Sequence, residues 1–343
     1  MTRLGHVRGL DGIRGVAIAA VVGYHFLGLP NGFYGVDIFF VLSGFLITTL
    51  LLEEHETSGR ISFGTFYLRR ARRLLPGLGP IVMFSLLVAV LNLLAGPPGY
   101  AWVRLRGALS AVFYAANIVE AAGRLLPIEV TPLWSLAQEE QFYLLWPAAL
   151  LLLLRRRIEP RRVAQLLLAY AAIVIAWRAG LAFARVPDVH VMYGPDTRSD
   201  GLAIGAALAA LRFAGVLRRE RLPGIALLGF LVLVAVPLRT ATAYGVGIPL
   251  AELAGVGLVL AGLGGSTLLS AAPLAWLGSI SYGVYLWQGP VMLVGGHGLA
   301  AAAASVGLGW ASTRLIEQPF RRGRPARSPA SPVSVSAPAQ SPV

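Results

Sequence analysis

Inside the first apolar stretch of the chain, RGLDGIRGVAIAAVVGYHFLG at residues 8–28, Arg14 and His25 stand eleven positions apart. On an α-helix that spacing returns to within ~20° of the same face and advances ~16 Å, so one face carries both. Histidine is suited to taking a proton from an alcohol near neutral pH, and a neighbouring carboxylate can hold its tautomer. An ionisable group in hydrocarbon is costly, so such residues face a protein-lined path or pair with one another.

Further polar residues interrupt later apolar runs. Asp37 lies just inside the second run, Glu139 and Glu140 about two turns into a helix beginning near Leu133, and Arg198 and Asp200 open the helix after YGPDTRSD. Positive-inside bookkeeping puts them in the outer half with His25 and puts Arg14 in the inner half. The bland alternative for any of these carboxylates is an ion pair that locks helices together. The run FGTFYLRRARRLLP at 63–76 carries Arg69, Arg70, Arg72 and Arg73. Arg69 and Arg72, three apart, share a face and can clamp phosphates, although anchoring on anionic lipid explains most such runs. The glycines of VLSGF (41–45) and SYGVYLWQGP (281–290) serve close helix packing.

Without cysteine there is no thiol nucleophile and no thiolate metal site, and the five histidines (6, 25, 55, 190, 297) lack ligand spacing, so no metal is expected. With no nucleophile elbow or Ser-His-Asp order, direct transfer is the simpler chemistry.

The elements that must position these residues are membrane helices. Of 343 residues, 56% are hydrophobic and 13% charged, with a mean hydropathy of +0.70, which excludes an ordinary soluble domain. The charge of +13 comes from arginine alone, clustered at the ends of apolar runs, a pattern of membrane topology rather than nucleic-acid binding. No cleavable signal is evident. The expected architecture is all-α and polytopic, with about ten transmembrane helices near 9–29, 33–52, 77–95, 133–154, 163–184, 199–216, 222–239, 245–264, 273–293 and 299–317. Residues 63–76 read as a helix lying on the inner membrane surface. The polar run 104–122 reads as re-entrant or packed at the outer side, since an extra span would put RRRIEPRR outside. Both termini then lie in the cytoplasm of a multi-pass plasma-membrane protein. Residues 1–322 form one membrane domain, and 323–343, rich in Pro, Ser and Ala, form a disordered tail.

The Arg14/His25 pair, FYGVDIFFVLSGFLIT, YLRRARRLLP, PLWSLAQEEQFYLLWP, SDGLAIGAAL, ISYGVYLWQGP and IEQPFRR, in order over about residues 7–322, together resemble acyltransferase family 3. These are integral-membrane O-acyltransferases. The resemblance implies transfer of an acyl group, usually acetyl, from cytosolic acyl-CoA as donor substrate to a hydroxyl of a carbohydrate or glycosylated acceptor, such as envelope polysaccharide or a macrolide. It implies catalytic roles for His25, Arg14 and the glutamate matching Glu139 or Glu140, and donor binding by Arg69 and Arg72 with Arg73 beside them. Asp37, Arg198, Asp200, Tyr285 and Gln288 are the expected acceptor contacts. Two positions depart from the family pattern: Gln288 stands where relatives often carry His, and Gln138 replaces a small apolar residue.

The pantetheine arm of CoA is about as long as the ~16 Å between Arg14 and His25. The expected path therefore runs from phosphates at Arg69 and Arg72, past Arg14, to a thioester beside His25. The rival is a transporter or flippase, which also places charged residues at mid-membrane. The lack of an appended hydrolase-like domain points away from the two-domain peptidoglycan and O-antigen enzymes of this family. It suits a stand-alone polysaccharide O-acetylase or a macrolide-type acylase.

Overall fold

In the computed structural model, residues 4–217 and 223–321 are described. The expected tail at 323–343 lies outside them. Gly28 and Gly59, at φ 72° and 67°, end the first two long helices in the left-handed region, where their N–H groups return to the carbonyls of Gly23 and His55. In order the helices are α1 (Arg8–Leu27), α2 (Gly35–Ser58), α3 (Phe63–Ala95), α4 (Pro98–Val112), α5 (Ala116–Ala121), α6 (Trp134–Arg155), α7 (Pro160–Phe183), α8 (Asp188–Tyr193), α9 (Asp200–Phe213), α10 (Pro223–Ala235), α11 (Thr240–Thr242), α12 (Ile248–Leu263), α13 (Ala272–Ser279), α14 (Ser281–Gly295), α15 (Leu299–Ser312) and α16 (Gln318–Arg321). Single π-turns at Ala243–Gly247 and Thr313–Glu317 join α11 to α12 and α15 to α16. No strand occurs among the described residues, so the fold is all-α.

The centre is the pair α1 and α2. In their most apolar windows 67% and 78% of residues are buried, against 22% in α3 and α7, whose leucines and isoleucines turn outward. Outward apolar faces on helices that satisfy their own backbone are what a bilayer demands. The largest core cluster joins α1, α2, α9 and α12 through Ile13, Ile38, Phe45, Leu208 and Leu258. Helix α2 meets α9 through reciprocal glycines: a Cβ on Gly44 would lie 2.0 Å from the Leu202 carbonyl, and one on Gly205 would lie 1.9 Å from that of Val41. Small residues here let two backbones touch, as expected for VLSGF.

Six helices among the described residues are long and apolar enough to cross a membrane: Arg8–Leu27, Gly32–Ser58, Phe63–Ala95, Pro160–Phe183, Thr240–Leu263 and Leu299–Phe320. The chain is therefore multi-pass by length and composition. Two expected elements differ in form. The surface helix at 63–76 and the span at 77–95 are one helix of 33 residues that carries Pro76 and Pro80 inside it. At ~50 Å it exceeds the hydrocarbon core, so a basic first section and an apolar second section belong to one helix. The run 273–293 breaks at Ile280 into α13 and α14. The run 104–122, expected to be re-entrant or packed at the outer side, falls in two helices, α4 and α5, separated at Phe113–Ala115.

Candidate active site

Two cavities lie beside α1, one after the other along its length. The first, about 400 Å³, is lined by His6, Asp11 and Arg14, by Ser43 and Glu54 of α2, by Arg69, Arg70 and Arg73 of α3, and by Ser135, Glu139 and Tyr143 of α6. The second, about 190 Å³, is lined by Tyr24 and His25 of α1, by Phe33, by Trp134 at the start of α6, and by Met192, Tyr193 and Met292. Arg14 and His25 thus stand on one helix but in different cavities. The first is basic, the second mostly aromatic and apolar.

In the second cavity the His25 ring packs 5.3 Å from Tyr24, and its Nδ1 lies 2.5 Å from Oε1 of the fully buried Gln288 on α14. A carboxylate was the expected partner, and the structure supplies an amide. With Gln288 Oε1 as the acceptor, Nδ1 is the donor and Nε2 is left with the lone pair. Gln288 does not line the cavity, so the expected acceptor contact becomes a partner that orients the histidine.

In the first cavity the arginines sort by helix geometry. Arg69 and Arg73, four apart, both line it, as does Arg70, whereas Arg72 is exposed and lines neither cavity. The expected pair Arg69 and Arg72 does not line this cavity together: a step of four residues turns ~40° and a step of three ~60° the other way, which carries Arg72 off the lining face. Arg70, which sequence reasoning left without a role, stacks 3.6 Å above the Tyr143 ring and pairs with Glu140 at 3.3 Å. Glu139 and Glu140 therefore separate. Glu139 faces the cavity and accepts hydrogen bonds from Ser43 (3.1 Å) and Tyr143 (3.0 Å), while Glu140 lines neither cavity. Neither glutamate is a hydrogen-bond partner of His25. Arg14 is paired with Asp11 at 3.6 Å, and the other Asp11 oxygen lies 2.7 Å from His6.

Asp37, Arg198 and Asp200, expected to touch the acceptor, are 1% exposed or less as side chains and line neither cavity. They form a sealed ion cluster: Arg198 with Asp37 at 2.9 Å and Arg178 with Asp200 at 2.6 Å. These groups are shut off from solvent and set against one another, an arrangement that costs less than an isolated buried charge. Arg178 also donates to the carbonyls of Thr197 and Tyr244, tying α7 to the segment before α9 and to the π-turn before α12. Glu252 of α12 joins the cluster from beneath Gly201, with both carboxylate oxygens buried and unpartnered. Arg178 and Glu252 were missed, yet each sits inside an expected span, so the cost of a buried charge was available as a signal. The cluster reaches the second cavity only indirectly, through Arg198 at 5.3 Å from the Trp134 ring.

Gln138 also finds its reason. Asn117 of α5 donates to Gln138 (2.9 Å) and Gln141 (3.1 Å), and Gln141 donates back to Asn117 and to the Tyr114 carbonyl. This amide network seats the α4–α5 segment against α6, in place of the apolar contact a small residue would make.

The chain is thus a multi-pass helical protein with a basic cavity and an aromatic, histidine-bearing cavity strung along one helix. The chain belongs to acyltransferase family 3, whose acyltransferase domain matches residues 7–315. It is similar to the peptidoglycan O-acetyltransferase OatA of Listeria monocytogenes, at 31% identity over 92% of this chain and 56% of that protein. It is also similar to the O-acetyltransferase OatA of Staphylococcus aureus, at 32% over 84% of this chain and 51% of that protein. A putative peptidoglycan O-acetyltransferase of Bacillus subtilis, YrhL, is 34% identical over 84% of this chain and 49% of its own length. The chain thus spans about half the length of these relatives. No solved structure matches it.

Proposed function

We propose that this protein is a plasma-membrane O-acyltransferase that moves an acetyl group from cytosolic acyl-CoA to a hydroxyl of an envelope glycan. The observation that carries the reading is the 2.5 Å contact of His25 Nδ1 with Gln288 Oε1, which leaves Nε2 free of that contact beside an aromatic cavity. Arg69, Arg70 and Arg73 take the CoA phosphates, and Arg14 holds the arm at the inner cavity. At the outer cavity His25 Nε2 takes the acceptor hydroxyl's proton and the oxygen attacks the thioester carbonyl carbon. The C–S bond then breaks, and the departing thiolate receives the proton from His25, so the histidine ends as it began. Aromatic rings such as Tyr24, Trp134 and Tyr193 offer the flat apolar faces that sugar C–H groups pack on.

Relatives named for peptidoglycan O-acetylation favour peptidoglycan as acceptor, although the sequence had pointed toward a stand-alone polysaccharide or macrolide enzyme. The transporter reading gains no support from the family. The ten-span topology with both termini cytoplasmic belongs to this proposal, because it puts the basic cavity inside and His25 outside.

The test is mass spectrometry of envelope glycans from cells with and without the protein, alongside membranes incubated with acetyl-labelled CoA. Label should reach the glycan with the native chain and fail to reach it with His25→Ala. Transfer that persists in His25→Ala would sink the assignment of the base, and glycans unaltered by the protein would sink the acceptor.

A further inference from the structure

The two cavities have only Val36 and Tyr285 in common among their linings. Val36 is a buried first-turn residue of α2. Tyr285 lies three residues before Gln288 on α14, so the helix that orients His25 also supplies the boundary between the cavities. The Tyr285 hydroxyl lies 2.5 Å from the Pro132 carbonyl and 2.5 Å from Ser135 Oγ. A carbonyl can only accept, so the single phenolic proton goes to Pro132, and Ser135 must donate to the phenol oxygen. The ring is thus fastened at its tip to Pro132 just before α6 and to Ser135 in the first turn of α6, while its base is fixed on α14.

We infer that Tyr285 is a latched partition between a donor chamber and an acceptor chamber, and that it determines which acyl groups pass from one to the other. A charge would be costly at this depth and a small residue would leave the chambers continuous. A neutral ring held by two neutral hydrogen bonds blocks the way and can still swing, since each such bond contributes only modestly. Closed, it keeps the acceptor side's water from a thioester waiting in the first cavity. Open, it leaves a gap beside Val36 fit for a slim chain. The receiving cavity, about 190 Å³ against about 400 Å³, must hold acyl group and acceptor together, which favours short acyl groups. The identity of what passes rests on the proposed function, whereas the existence of the partition does not.

The absence of cysteine from the chain makes the test clean. Leu46 lines the first cavity and Met292 the second, so Leu46→Cys and Met292→Cys each install a single reporter. In oriented membrane vesicles a small, impermeant charged methanethiosulfonate is added to one face or the other. Each reporter should react from one face only, and the two faces should be opposite. Adding Tyr285→Ala should make both reporters reactive from both faces. Tyr285→Phe and Ser135→Ala, which keep the ring but cut the latch, should raise cross-face labelling roughly tenfold, as loss of one or two neutral hydrogen bonds shifts an opening equilibrium. These two conservative variants decide the matter if Tyr285→Ala fails to fold. Both reporters reacting from the same face in the otherwise native chain, or unchanged labelling in the Tyr285 and Ser135 variants, overturns the partition. In parallel, acyl-CoA donors of increasing chain length are offered, and Tyr285→Ala should accept longer chains than the native protein. Cross-face labelling as expected without acyl-CoA consumption by any variant would refute the proposed function and leave the partition standing. Consumption with an unchanged length profile would refute its role in acyl selection.

Discussion

His25 Nδ1 and Gln288 Oε1 meet at 2.5 Å, joining the first helix of the chain to α14 across 263 residues of sequence. The contact assigns the tautomer of the histidine through an uncharged partner. An amide orients the ring but offers no negative charge that would stabilise an imidazolium.

Replacing that amide should show its contribution. Gln288→Leu should lower kcat for acyl transfer on the order of 10²-fold with little change in KM, because the base loses its orientation and not its ligand. Gln288→His should retain most activity, since a ring nitrogen can accept the same hydrogen. Steady-state kinetics on membrane preparations checks both, and a Leu variant with native kcat would refute the positioning role.

The three-way division of the basic run gives a sharper expectation. Arg69→Ala together with Arg73→Ala should raise the apparent KM for acyl-CoA by at least ~10-fold, the loss of about one charge-assisted contact, whereas Arg72→Ala should leave it within twofold of native. Equal effects at Arg72 and Arg73 would mean that the face turned toward the first cavity is not the donor face.

Adjacent glutamates should part company. Glu139→Ala removes the acceptor of the Ser43 and Tyr143 hydrogen bonds inside the first cavity and should reduce turnover. Glu140→Ala frees Arg70 from its ion pair, so its effect should appear in donor KM and in thermal stability rather than in kcat. Measuring kcat, KM and unfolding temperature for both variants separates the two roles.

The sealed cluster makes a prediction about stability alone. Arg198→Met leaves Asp37 buried without its partner and should cost ~3–5 kcal/mol, read as a large drop in unfolding temperature in detergent. Adding Asp37→Leu to Arg198→Met should recover much of that loss, because no uncompensated charge remains. Failure of the double variant to recover would show that the pair does more than neutralise itself.

Properties that act along one helix were legible from the residues alone. Hydropathy and arginine placement gave an all-α multi-pass protein, the spacing of Arg14 and His25 gave one face of α1, and ordered motifs gave the family. The irregularity of 104–122 was legible too, as polar residues that no lipid-facing span would carry. Local pattern could not say that 63–95 forms one helix through two prolines, since packing and backbone satisfaction decide that. Nor could it tell a charged residue that faces a cavity from one sealed against a counter-ion. Glu139 and Glu140 are adjacent in sequence, and Asp37 and Arg198 looked as available as Arg14. Only the packing of α2, α7, α9 and α12 closes around the second pair, and only α3 against α6 takes up Glu140. The partner of His25 and the boundary at Tyr285 both come from α14, some 260 residues downstream of His25. Contacts at that separation depend on how helices are arranged around one another, and the arrangement is set by the summed burial of many side chains rather than by any motif.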